Sequence, residues 1–296
     1  MTFAVGQQIQ ATDYNTMSTN LASVWGQGTG NKGWGQSVSP ITNVTSAVQV
    51  TATQWTGLIQ TTNAALNHIG STPISTSSVI AGTPISYISA LTTGINTIVS
   101  AASGQTTLAR VDSTATDATY TGTWGNTGNR GLAFTHTVTF ASANQARYFF
   151  NSGGRLALSF SRTGGSSTTR NSEWSTLCTR CGQWRYSSLS MMQAGGSGNP
   201  VIPSSTGYWN TGTSATQQIT MYDGYAAYST NYITTYATLS GTAQNGGRPT
   251  ITLTTYWINV WSNAFQQVVD GTATTALILQ SPSTYTHIVT DRKSVV

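Results

Sequence analysis

The sequence predicts an α+β chain, with a small helical N-terminal module followed by a predominantly antiparallel β-sandwich or barrel-like module. Apolar residues recur at spacings of three and four in the first part of the chain, and alternation with a period of two dominates the rest. The chain also contains 54 Thr and 13 Tyr, which favour strands. We therefore place a helical attachment or oligomerisation module at residues 1–104 and a β-rich module at residues 105–296.

Two apolar stripes predict the first two helices. Thr12 suits an N-cap of the first helix, and glycines from Gly26 onward end it. The pattern returns about forty residues later and stops at Gly70, while Thr83 and Pro84 predict the start of a third helix that Gly104 closes. The stripes form either the core of a helical bundle or a seam between identical subunits. Their residues are Tyr14, Met17, Leu21, Val24, Trp55, Leu58 and Ile69.

The β-rich module is predicted from alternation and turn residues. Phe134, His136, Val138 and Phe140 alternate with threonines, as in a strand with one buried face. Residues 146–161 predict a hairpin around an Asn-Ser-Gly-Gly turn, and residues 251–260 predict a strand. The Asp-Gly pair at 270–271 predicts the turn of a last strand pair.

Charged residues are scarce, at 6% of the chain against about 25% in ordinary globular proteins. Serine and threonine hydroxyls therefore replace Lys and Glu over much of the surface. Such a surface suits a protein packed in an assembly or one that binds sugars. Trp209, Tyr225 and Tyr228 are candidate glycan-binding aromatics, although tyrosines are equally common in cores and interfaces.

The net charge of +5 depends largely on six arginines between residues 147 and 185. We do not expect nucleic acid as a partner, because the chain has no Lys-rich run and no known nucleic-acid-binding module. The N-terminus lacks the basic and apolar regions of a secretory signal, and no run approaches the length of a membrane helix. We expect synthesis in a cytoplasm, with no membrane partner.

No catalytic or metal-binding constellation is evident. Cys178 and Cys181 have the spacing of half a zinc site, but the second cysteine pair is absent, so we expect free thiols or, after oxidation, a local disulfide. The few carboxylates show no paired spacing, which disfavours a glycoside hydrolase. We therefore expect no enzyme and no cofactor.

Five segments together resemble a family of virion structural proteins of tailed bacteriophages, especially phages of aquatic bacteria. They are residues 11–15 (ATDYN), 33–36 (GWGQ), 146–154 (ARYFFNSGG), 161–167 (SRTGGSS) and 265–272 (FQQVVDGT). The resemblance implies incorporation into the particle at the tail, neck or fibre, and supplies no active-site residues. The Cys178–Cys181 pair does not belong to it.

The sequence therefore predicts a homo-oligomeric virion component that contacts identical subunits and other phage virion proteins. The alternatives are a receptor-binding protein that recognises a host cell-surface glycan and a capsid decoration protein.

Overall fold

The computed structural model describes residues 10–45, 48–75, 79–80, 87–102, 109–126, 130–260, 268–283 and 289–295. Its helices are α1 (Ala11–Trp25), α2 (Ala52–His68), α3 (Ile88–Ser100), α4 (Ala143–Asn151) and α5 (Thr169–Cys181). Its strands are β1 (Arg110–Asp112), β2 (Thr116–Thr121), β3 (Gly131–Phe140), β4 (Arg155–Thr163), β5 (Gln183–Tyr186), β6 (Met191–Ala194), β7 (Thr216–Tyr222), β8 (Tyr232–Ser240), β9 (Thr250–Ile258), β10 (Thr272–Pro282) and β11 (Val289–Val295). Helices at the N-terminus thus precede a β-rich part, so the predicted α+β class is confirmed.

The chain divides into two compact units. Unit 1 comprises Met1–Ala109, Arg147–Gly153 and Pro282–Thr286, and unit 2 comprises Arg110–Ala146, Gly154–Ser281 and His287–Val296. The predicted boundary at residue 104 assigns Arg147–Gly153 and Pro282–Thr286 to the β-rich module, whereas both segments belong to the helical unit.

Helices α1, α2 and α3 bury one apolar core in unit 1. Helix α1 begins at Ala11, one residue before the predicted cap Thr12, and the backbone N–H of Gln10 donates to Asp13 Oδ2 at 2.9 Å. Helix α2 begins with a capping box, in which Gln54 N–H donates to Thr51 Oγ1 at 3.3 Å and Thr51 N–H donates to Gln54 Oε1 at 2.8 Å. The predicted start of the third helix at Thr83 and Pro84, and its end at Gly104, lie outside the described residues.

A second contact set in unit 1 joins residues 27–35 to the end of α4. The guanidinium of Arg147, which is fully buried, donates to the carbonyls of Gly30 at 3.2 Å and Lys32 at 3.0 Å. The side-chain amide of Asn151 donates to the same two carbonyls, at 3.2 and 3.1 Å. Gly33, at φ +100°, lies so close to Gln27 O that a Cβ would collide with it. Asn151 also donates to the carbonyl of Gly33 at 3.3 Å, so two of the segments that carry the phage resemblance, 33–36 and 146–154, meet here.

The predicted hairpin at residues 146–161 is wrong in its first half. Residues 146–151 belong to α4, and only the second half is a strand, β4. Arg147 and Asn151 are four residues apart, so the helix places both donors on one side, where they reach the same carbonyls. Gly153, at φ +95°, follows the helix end instead of forming a hairpin turn.

Unit 2 contains two antiparallel sheets that pack face to face. One sheet has the order β1-β10-β4-β5-β6, with β2 also paired to β10, and the other has the order β11-β3-β9-β8-β7. His136 Nε2 lies 3.1 Å from Thr275 O, and the Phe160 and Trp257 rings lie 6.5 Å apart, so both contacts cross between the sheets. This arrangement is the β-sandwich of the predicted class.

The predicted alternation of β3 is confirmed. Phe134, His136, Val138 and Phe140 are buried, and the threonines between them are half-buried. Helix α5 adds Trp174, whose ring stacks on Trp257 at 5.7 Å with an interplanar angle of 6°. The aromatic residues thus fill the space between the sheets.

The predicted strand pair around 270–271 is wrong, because β10 pairs with β2 and β4 instead. Asp270 is part of a hydrogen-bond network with the β4–α5 loop. Ser166 N–H donates to Asp270 Oδ1 at 3.0 Å, Asn171 donates its side-chain amide to the same carboxylate, and Arg162 Nη2 forms an ion pair with it at 3.6 Å. This network brings segment 161–167 and residues 270–272 together, while residues 265–267 lie outside the described residues.

Candidate binding surface

The face of the five-stranded sheet that points away from the sandwich core carries hydroxyl side chains in regular rows. We call it the hydroxyl face, and restrict the name to the four strands whose side chains are described. Its residues are Thr135, Thr137 and Thr139 on β3, Thr250, Thr252, Thr254 and Tyr256 on β9, Tyr232, Thr234, Tyr236 and Thr238 on β8, and Thr220 and Tyr222 on β7.

Threonines face each other across the strands of this surface. The hydroxyls of Thr137 and Thr252 lie 3.3 Å apart, and those of Thr139 and Thr250 lie 3.4 Å apart. On the neighbouring strand pair the hydroxyls of Thr220 and Thr234 approach to 2.7 Å, and these two side chains are buried, at 3% and 4% exposure. Cross-strand threonine pairs of this kind stabilise a sheet and fix the positions of its hydroxyls.

Tyrosines occupy the β7 side of the hydroxyl face. The Tyr222 and Tyr232 rings lie 5.4 Å apart, and the Tyr236 and Tyr256 rings lie 5.9 Å apart at 80°. Tyr222 is 47% exposed and Tyr256 is 37% exposed. The surface therefore offers apolar rings beside fixed hydroxyls.

Strands β3, β7, β8 and β9 contain no Lys, Arg, Asp or Glu at all. Free sheets usually carry charges on the exposed face and especially at their edges, which prevent association with other chains. In this sheet the charged residues of the sequence are confined to the edge strand β11, which contains Asp291, Arg292 and Lys293. The hydroxyl face thus lacks the usual electrostatic barrier to contact with another protein surface.

The loop from β7 to β8 presents the predicted aromatic Tyr225, which is 47% exposed. Its ring stacks on Tyr228 at 5.6 Å with an interplanar angle of 29°. The backbone N–H of Tyr225 donates to Asp223 Oδ1 at 2.9 Å, and Asp223 N–H donates to Asn231 O at 2.9 Å. The loop is thus held in a defined conformation from within.

Asp223 is an unusual feature of this loop, since its side chain is buried and its Oδ2 has no hydrogen-bond partner among the described residues. Burial raises the pKa of this carboxyl above its ordinary value, and nearby Glu173 raises it further, while the Tyr225 N–H and Arg180 oppose the shift. The amide nitrogen of Asn231, at the other end of the loop, is also buried and has no partner in the described ranges of the chain. Buried polar atoms of this kind are rare in folded proteins and each needs an explanation.

The three predicted glycan-binding aromatics differ in exposure. Tyr225 is exposed as expected, and Trp209 is half-buried with its ring 5.1 Å from that of Tyr208. Tyr228 is only 6% exposed, so its prediction as a surface residue is wrong. It lies under Tyr225 and supports that ring instead.

The two helical stripes lie in the core of unit 1. All seven of their residues are buried, and the Tyr14 and Trp55 rings meet edge to face at 5.2 Å. Side chains with almost no accessible area cannot form a seam with another copy. The bundle-core interpretation therefore applies, and the oligomer-seam alternative does not.

Cys178 and Cys181 are free, buried thiols, and the local disulfide is not formed. Burial raises the pKa of both thiols, which keeps them protonated and poorly reactive. Among the described residues, no group of three or more His, Cys, Asp or Glu side chains is arranged to hold a metal ion.

The side chains of two histidines, His136 and His68, each contact a backbone carbonyl. His136 Nε2 lies 3.1 Å from Thr275 O, and His68 Nε2 lies 3.0 Å from Ser152 O. Both side chains are buried in their own unit. His287 lies outside the described residues.

The residue that sequence reasoning missed at the hydroxyl face is Tyr256. The alternation of Thr250, Thr252 and Thr254 along β9 places Tyr256 on the same face, and this period was available in the sequence. The sequence does not reveal which residues lie next to Tyr256, because these neighbours depend on the pairing of β9 with β8 and β3.

Comparisons of the chain with protein-family models, curated proteins and solved structures found no match. Among the described residues, no helix combines the length and apolar character needed to cross a membrane.

Proposed function

We propose that this protein is a structural component of a tailed-phage virion, associated with the tail, neck or fibre, and that it works through contacts with identical copies and other virion proteins. The observation that carries the proposal is the hydroxyl face, because four adjacent strands without a charged residue form a surface suited to burial against protein. Symmetric assembly would use this one surface at every copy.

The resemblance to virion structural proteins supports the same proposal. Its segments hold the fold of each unit together: Gly33 and Asn151 join within unit 1, and residues 161–167 and 270–272 join within unit 2. Segments that hold a fold together fit a protein whose role is assembly.

The first experiment is the mass of the purified protein by light scattering. We expect a discrete oligomer for the wild type and a shift towards monomer for Thr252→Arg, which places a charge at the centre of the hydroxyl face. The matched control is Thr119→Arg, an exposed strand threonine of the other sheet, which should leave the mass unchanged. A wild-type monomer would contradict self-assembly and favour a capsid decoration protein ordered by its neighbours.

Location on the particle needs a separate measurement. Mass spectrometry of purified virions, with immunogold labelling, should find the protein at the tail or neck. Absence of the protein from purified particles would contradict the proposal regardless of its oligomeric state.

A second candidate function is recognition of a host-surface glycan, favoured by the exposed rings of Tyr222 and Tyr225 beside hydroxyl-rich strands. Flat rings stack on sugars and lose little entropy on binding. Cell-binding or glycan-array signal should vanish in Tyr225→Ala and persist in Tyr256→Ala, an exposed tyrosine outside the loop. Wild-type protein that assembles without binding cells or glycans would rule this function out.

A further inference from the structure

Unit 2 holds a cluster of arginines on the face of the six-stranded sheet that points away from the sandwich core. Arg155 lies on β4, Arg185 on β5 and Arg110 on β1. Leu156, Leu158 and Trp184 alternate with them and are fully buried in the core, so Arg155 and Arg185 point the other way. None of these three arginines belongs to the network around Asp270.

The strand register brings Arg155 and Arg185 together. Ala157 lies opposite Arg185, which makes Arg155 and Arg185 diagonal neighbours on adjacent strands. Cα atoms of such a pair are about 7–8 Å apart, within reach of two long side chains. Ala157, the small residue between them on this face, is itself fully buried.

Each of the two guanidiniums is oriented by a glutamine on its own face. Arg155 Nε donates to Gln280 Oε1 at 2.7 Å, and Arg185 Nε donates to Gln183 Oε1 at 2.7 Å. Gln280 in turn donates its amide to Asp112 Oδ1 at 3.0 Å. Both arginines are therefore held through Nε, while within the part of the chain that the structure describes no protein acceptor binds their terminal Nη1 and Nη2 donors.

The position of Arg155 makes these unused donors significant. The residue is only 9% exposed, and neither of its Nη atoms is among the fully enclosed polar atoms that lack a hydrogen-bond partner. Burial, together with the positive charges of Arg110 and Arg185, lowers the pKa of Arg155 to about 10, against the opposing effect of Asp112. Arg155 remains charged at neutral pH, in a field of like charges that a bound anion would relieve.

We propose that Arg155 and Arg185 form a clamp for a tetrahedral oxyanion, a phosphate or sulfate group. Guanidiniums bind such groups with paired N–H donors, and two guanidiniums supply the two positive charges that match a dianion. A planar carboxylate would be satisfied by one guanidinium alone, so the pair favours the tetrahedral group.

The test is calorimetric titration of the full chain with inorganic phosphate, sulfate and acetate, in chloride buffer at constant ionic strength. We expect saturable binding of phosphate or sulfate that is at least tenfold weaker in Arg185→Gln. Acetate should bind more weakly than either. The matched control is Arg130→Gln, an exposed arginine of the same unit, which should bind like the wild type.

Arg155→Lys provides a second variant, since it keeps the charge but loses the planar fork and the Nε donor to Gln280, and it should also weaken binding. Circular dichroism establishes that each variant is folded, and Arg185, which is less buried than Arg155, keeps the test valid if Arg155→Lys unfolds. The proposal is overturned if no tetrahedral anion binds saturably, if acetate binds as tightly as sulfate, or if Arg130→Gln weakens binding as much as Arg185→Gln.

Discussion

Two aspartates in loops of the sandwich, Asp270 and Asp223, have opposite environments. Asp270 accepts hydrogen bonds from Ser166 and Asn171 and pairs with Arg162, so the surrounding groups stabilise its charge. Asp223, in the β7–β8 loop, is buried, and one of its carboxylate oxygens has no hydrogen-bond partner in the part of the chain that the structure describes. The pKa of Asp270 is accordingly lowered, with the Ser166 backbone N–H as the largest cause, and that of Asp223 is raised by burial.

This difference separates a structural site from a candidate interaction site. The Asp270 network is satisfied within the chain and joins two distant segments, so its role is complete in one subunit. The Asp223 loop contains buried polar atoms that no described residue pairs with, and Tyr225 is exposed beside them. Folded proteins tolerate such a cost mainly where function requires it.

The largest expected effect on stability concerns the Asp270 network, in which every hydrogen bond named above is formed within the chain. Asn171→Ala should lower the free energy of unfolding by about 2–3 kcal/mol, because Asp270 N–H and Ser166 O both lose a partner in a nearly buried site. Urea denaturation measures the change. Ser172→Ala, at an exposed position of the same helix, should change stability by less than about 0.5 kcal/mol. Equal effects of the two substitutions would show that the network is not stabilising.

The pH dependence of stability should report the lowered pKa of Asp270. An acid with a depressed folded-state pKa contributes stability above its unfolded-state pKa, about 3.9, and loses it as the pH falls through the folded-state value. Unfolding free energies of the wild type should therefore fall at acidic pH, and Asp270→Asn should flatten this fall. Asp117→Asn, at an exposed strand position, should keep the wild-type profile; an unflattened profile in Asp270→Asn would contradict the assignment.

The contribution of Asp223 to the pH dependence of stability should have the opposite sign to that of Asp270. Because burial raises its pKa, its ionised form weakens the fold, and stability should rise as the pH falls from neutral through the folded-state pKa. Asp223→Asn removes that charge while keeping an acceptor for Tyr225 N–H, so we expect it to be more stable than the wild type at pH 7, with the difference shrinking at lower pH. Denaturation of both proteins at several pH values measures this; a destabilised variant at pH 7 would show that the carboxylate is favourably solvated.

The smallest effect is expected at the exposed ring of the same loop. Tyr225→Ala should change the free energy of unfolding by less than about 0.5 kcal/mol, because nearly half of the side chain is already in solvent. Tyr225→Phe retains the ring that stacks on Tyr228 and provides the control. A loss above about 1 kcal/mol would identify Tyr225 as a packing residue and remove the main reason for assigning it to binding.

Buried side chains were predicted correctly where a periodic apolar pattern places all of its residues on one face of a helix or strand. The stripe beginning at Tyr14 and the alternation from Phe134 to Phe140 both predicted which side chains are buried. Sequence reasoning failed at residues 146–151, where aromatic residues suggested a strand. The i, i+4 spacing of Arg147 and Asn151 matters more there, because both side chains bind carbonyls of a loop more than 110 residues away in sequence.

The candidate surfaces could be predicted only in part. Tyr225 was recognisable as a loop tyrosine, but the burial of Tyr228 beneath it depends on the conformation of the loop. The clamp of Arg155 and Arg185 could not be predicted, because residues thirty positions apart become neighbours only through the register of β4 and β5.

The sequence by itself determined the α+β class, the low charge of the surface and the faces of the most regular elements, because composition and periodicity act locally. Only the tertiary structure decided which hydroxyls form one face, which aspartate has hydrogen-bond partners at both carboxylate oxygens, and which arginines become neighbours. Those properties depend on strand register and on hydrogen bonds between distant segments, and local patterns do not encode either.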